Sequence, residues 1–146
     1  MFMDYRKGSI GRLFAVRIDH GEDVIHELSE LALKEDISSA FFIMLGAVGS
    51  AELVTGPREK TVPPVTVWSA FDDAREIIGA GNIFRENGAP KIHLHAAAGN
   101  SRKMTMGCIR KKAEAFMVVE VFIVEMDISA QRIPDEKIGF SPITFK

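Results

Sequence analysis

The 146 residues are 47% hydrophobic and 26% charged, a balance that excludes intrinsic disorder in a chain long enough to bury a core without staples. A formal net charge of −2 gives no global attraction to nucleic acid, so phosphate binding would rest on a local patch. The single cysteine excludes an internal disulfide. With no apolar signal core in Met1 to Lys7 and no membrane-length apolar run, the expectation is one cytoplasmic domain, residues 1–146, with no membrane partner.

Ser9 to Asp19 reads as a first strand, with Phe14, Val16 and Ile18 on one face and Arg17 on the other. Gly21 breaks it. From Glu22 to Glu35, Val24, Ile25, Leu28, Leu31 and Ala32 recur at helical spacing, and Glu22 and Asp23 suit the positive end of the helix dipole. This predicts one main amphipathic helix, with His26 facing solvent and carrying no role.

Ser39 to Leu45 is a short apolar run, expected as a buried strand. Gly46 and Gly49 suggest a bulge or tight bend before the chain resumes through Ala51 to Thr55. The lysine and hydroxyl of a phosphate loop are missing at the required spacing. Gly56 to Pro64, with three prolines, is expected as an exposed loop. Val65 to Phe71 alternates like a strand, and Glu76 to Phe84 returns as another. Between them, Asp72 and Asp73 read as a solvated corner rather than an acid and base pair. Asn87-Gly88 is the strongest hairpin signal in the chain.

That hairpin leads into Pro90-Lys91-Ile92-His93-Leu94-His95-Ala96. On a strand, successive side chains alternate faces, so His93 and His95 share one face and Ile92 and Leu94 the other. Gly99 to Lys103 is rich in turn formers, and Met104 to Ile109 is expected to return antiparallel. A register in which paired numbers sum to 203 sets Cys108 opposite His95; a sum of 201 sets it opposite His93. An even register turns the thiol away, because a one-residue slip reverses facing. Two imidazoles and a thiolate suit zinc, with a fourth position left for water, substrate or a neighbouring chain, though other transition metals would accept the same set. The competing reading is a pair of hydrogen-bonded strand histidines and a core cysteine.

Beyond the basic residues Arg110, Lys111 and Lys112, Glu114 to Asp127 includes Phe116 to Val124, apolar and β-branched enough for a central strand. The tail from Ile133 to Lys146, with Pro134, Gly139 and Pro142, is expected as an edge strand or loop. Many strands around one early helix predict an α+β domain with a largely antiparallel sheet.

Gly21-Glu22-Asp23-Val24, Gly46-Ala47-Val48-Gly49, Gly81-Asn82-Ile83, the His93-Leu94-His95-Ala96 segment and Gly107-Cys108-Ile109 together resemble the plants-and-prokaryotes-conserved (PPC) domain, which accompanies AT-hook motifs in plant nuclear proteins. The resemblance spans Ile10 to Met126. It implies an antiparallel sheet with a helix packed on it and a homotrimer. Family members typically carry histidine where this chain has Cys108, a departure that keeps a metal-competent atom in place. The Arg-Gly-Arg core of an AT-hook is missing from this sequence, so DNA binding is not carried over with the resemblance.

Three functions follow. The first is a metal-binding homo-oligomer, with His93, His95 and Cys108 as ligands to zinc and an open position for water or a small anion. Activated water would need a base, for which Glu114 and Glu120 are the candidates. The second is nucleic-acid binding through Arg102, Lys103, Arg110, Lys111 and Lys112, weighed against a solvated hairpin edge. The third is an assembly scaffold using Phe116 to Val124 and Trp68 as the interface.

Overall fold

The computed structural model describes residues 3–146; Met1 and Phe2, part of the N-terminal segment read above, lie outside the described residues. The order is β1 (Ser9–Asp19), α1 (Val24–Lys34), β2 (Ser39–Pro57), β3 (Thr66–Phe71), β4 (Arg75–Glu86), β5 (Ala89–Gly99), β6 (Met104–Asp127), β7 (Ala130–Arg132) and β8 (Ile143–Phe145). All strand pairs are antiparallel except the short β4–β7 contact. The main path runs β3-β2-β6-β5-β4-β7-β8, with β1 on β6. Because β2 also pairs with β4, the set β2-β6-β5-β4 closes on itself.

Among the described residues the fold is therefore mostly sheet with one short helix, Val24–Lys34, so the expectation of a helix over Glu22 to Glu35 is too long. The physical reason is the cap. Asp23 has extended backbone and its side chain accepts from His26 N at 2.8 Å, while its other oxygen accepts from Ala113 N on β6 at 3.0 Å. That carboxylate ties the first turn to the sheet and starts the helix after itself. Val24, Leu28 and Ala32 are fully buried, pressing the helix onto the core face of the sheet.

Two other boundaries differ from expectation. Of the bulge or tight bend expected at Gly46 and Gly49, the structure has the bulge: β2 runs on through both with register shifts against β6, as one strand where two runs were read. Likewise the return strand from Met104 and the run from Glu114 are one 24-residue strand, bulged where Lys112 gives way to Ile109 opposite β2. A long strand that changes partners can serve two parts of a sheet. The tail holds β8, paired with a β7 that the apolar pattern did not announce because it is only three residues long.

Between the bulges, facing alternates. Phe42, Met44, Ile83, Leu94, Val119, Val121 and Ile123 are buried on the helix side. Gly81 makes room there: a Cβ at this position would collide with the Phe42 ring and the His93 carbonyl. The opposite face carries one row of paired residues, Trp68, Val54, Cys108, His95, Ala80, Ile43, Phe122 and Ala15, running strand to strand.

Candidate metal centre

The β4–β5 hairpin turns on Asn87-Gly88, with φ of 52° and 83°, the positive angles a two-residue primed turn requires. It pairs Asn82 with His93 and Ala80 with His95. The β5–β6 turn is fixed by Asn100, whose Oδ1 accepts from Arg102 N at 3.0 Å and Lys103 N at 3.1 Å, an Asx-type turn. The resulting register sets His95 opposite Cys108, the first of the alternatives left open by the sequence. Cys108 in turn faces Val54 on β2.

The three ligating atoms lie within 4.8 Å of one another. His93 is half-buried, His95 exposed and Cys108 buried, at 6% exposure. The two Nε2 atoms are 3.1 Å apart, with the rings edge to face at 77°. Two nitrogens bound at about 2.0–2.1 Å around a tetrahedral zinc sit about 3.3 Å apart, so the donor set and its nitrogen spacing fit a small cation. The same spacing also permits one imidazole N–H to donate to the other ring.

His93 is pushed down to about 4, first by burial and then by the positive charges of Arg132, His95 and Arg110. Its ring is neutral at neutral pH and keeps a lone pair for a ligand. Arg132, on β7, is the residue sequence reasoning missed. It is buried, donates from Nη1 to the Ser141 carbonyl at 2.6 Å and from Nη2 to Asn82 Oδ1 at 2.7 Å, and its Nη2 lies 3.3 Å from His93 Nδ1. No local pattern marks Gln131-Arg132; the signal is tertiary.

The proposed general bases are not at this cluster. Glu114 accepts from Lys112 Nζ at 2.9 Å and lines a separate open cleft of about 500 Å³ with Glu52, Phe71 and Asp72. Glu120 pairs with Leu45 of β2 and Arg17 of β1, not with the β5 strand that carries the histidines. The basic residues are not gathered either. Arg102 and Lys103 occupy the β5–β6 turn, and Arg110 lies about 20 Å further along extended chain. Lys111 is 3.6 Å from Glu52 and sits over Trp68, and Lys112 pairs with Glu114.

The sequence profile of the Plants and Prokaryotes Conserved (PCC) domain matches residues 5–127. The chain belongs to the PCC domain family. Solved structures agree on the fold. A metal-containing protein from Archaeoglobus fulgidus is 25% identical, with a TM-score of 0.86 over 97% of this chain and 99% of its own. A PPC protein from Pyrococcus horikoshii is 22% identical, with a TM-score of 0.82 over 99% of each chain. A protein from Ralstonia eutropha JMP134, whose name proposes DNA binding, is 19% identical, with a TM-score of 0.76 over 90% of each chain. Among curated proteins none matches this chain. No helix among the described residues of this PCC domain is long and apolar enough to cross a membrane.

Proposed function

We propose that this is a metal-binding PCC-domain protein in which His93, His95 and Cys108 hold one zinc ion and leave a fourth position open. The observation that carries the reading is the convergence of two imidazoles and the only thiol within 4.8 Å. Zinc is favoured over harder cations because thiolate and imidazole are its common ligands, and three protein ligands leave one site for water or a small anion. The bound metal would supply Lewis acidity at that position. With no carboxylate in the cluster of ligating side chains, the role we assign is binding rather than hydrolysis.

The same reading makes the chain one cytoplasmic domain that self-associates as a homotrimer. Support comes from the outward face around the cluster, where Phe41, Ile43, Leu45, Ile78, Met106 and Phe122 are all exposed. Apolar surface of that extent on one face is typical of an interface. Phe122 belongs to the run expected to supply it, and Trp68 is exposed too, with Lys111 over its ring.

Elemental analysis of the purified protein tests the metal. We expect about one zinc per chain after zinc addition, and none in the His93→Ala, His95→Ala variant. A metal-free wild type after purification and zinc addition would refute the reading. Light scattering tests assembly separately, with a monomeric mass counting against the trimer.

A further inference from the structure

Arg132 stands against His93 on the side of the ring away from His95. A guanidinium has five donors and no acceptor, so at 3.3 Å its Nη2 can only donate, and His93 Nδ1 must accept. A neutral ring with its lone pair on Nδ1 carries its proton on Nε2. That proton then points at His95 Nε2, 3.1 Å away, whose own lone pair receives it. Metal-free, the three side chains form one directed chain: Arg132 to His93, His93 to His95.

A cation bound at His93 Nε2 reverses the first link. The ring proton moves to Nδ1, where it meets the Arg132 donor head-on. Arg132 has little freedom to retreat, because it is buried and held by the Ser141 carbonyl at 2.6 Å and Asn82 Oδ1 at 2.7 Å. Its Nε is already buried without a partner. Metal-ligating histidines ordinarily donate their other nitrogen to an acceptor; here the neighbour is a donor.

We infer that Arg132 is a positioning residue that holds His93 in the metal-free tautomer and competes with the cation for that ring. Resting on the metal reading above, this makes the cluster a weakened, exchangeable site rather than a locked one. It also couples the site to the β7–β8 tail, since the guanidinium that must yield is anchored to Ser141. Binding of the ion shifts Arg132 and with it the Ser141 end of the tail.

Two measurements on the full chain decide it. Long-range ¹⁵N–¹H spectra of the metal-free wild type are expected to show His93 protonated at Nε2 with Nδ1 as a hydrogen-bonded acceptor; a proton on Nδ1 overturns the inference, with no variant needed. Zinc titration of Arg132→Gln, whose folding is checked by circular dichroism, is expected to show affinity about tenfold above wild type, the effect of removing one charge-assisted contact that the bound state cannot keep. Equal or weaker affinity overturns the inference while leaving the metal reading intact. If neither wild type nor variant takes up zinc, the metal reading falls, and this inference with it.

Discussion

Two clusters of ionisable side chains flank β6, and they behave differently. In the cleft between β2, β3 and β6, Glu52, Asp72 and Glu114 are met by Lys111 and Lys112 from the same neighbourhood. Lys112 holds the Glu114 carboxyl below its usual range through a direct hydrogen bond. At the histidine and cysteine cluster there is no counter-charge inside the set. Its neighbours Arg132 and Arg110 are positive, and burial pushes His93 down. Proximity of ligating residue types is common to both. What separates them is that the cleft pairs two of its carboxylates with lysines, whereas the other cluster brings two imidazoles and a thiol together beside cations alone.

The largest expected effect that would break this contrast is loss of metal. His93→Ala with His95→Ala should reduce bound zinc from about one per chain to none by elemental analysis, since one remaining protein ligand cannot hold the ion. Cys108→Ser should weaken zinc by at least about tenfold in competition with a chelator, because an alcohol is a far poorer ligand than thiolate. Gly81→Ala should destabilise the fold by about 1–3 kcal/mol in urea unfolding, because the added methyl must displace Phe42 or the β5 backbone. Loss of zinc affinity in parallel would show that the site depends on that register.

Acidification gives a smaller, directional effect on the metal-free protein. His93 binds its proton near 4 when folded and near 6.5 when unfolded, so the unfolded chain takes up the proton first as pH falls. The stability tied to a neutral His93 is complete above pH 6.5 and lost progressively as pH falls through 4. Denaturation midpoints at pH 7 and pH 4.5 should therefore differ more in wild type than in His93→Gln. The smallest effect belongs to the cleft. Glu52→Gln with Glu114→Gln should leave zinc affinity unchanged and barely move the urea midpoint, as loss of exposed ion pairs does.

Much of the local structure was legible because it obeys short-range rules. The β1 strand, with Phe14, Val16 and Ile18 turned inward, follows a period of two. The Asn87-Gly88 turn follows from residues tolerant of positive φ. Apolar spacing does not reveal a cap, and Asp23 sets the start of the helix by accepting from His26 N and from Ala113 N of β6. The long β6 was read as two pieces because bulges interrupt the alternation while the backbone stays paired.

For the candidate site, sequence alone determined that His93 and His95 share a face, since strand geometry dictates it. It also confined the sulfur to a choice of registers. Only the tertiary structure decided which one, through the Asn100 turn that pairs His95 with Cys108. It alone brought Arg132 from β7, 39 residues beyond His93, into contact with the ring. The physical reason is range: alternation and turn chemistry act over a few residues, whereas what a side chain meets across the sheet depends on how distant strands are laid together.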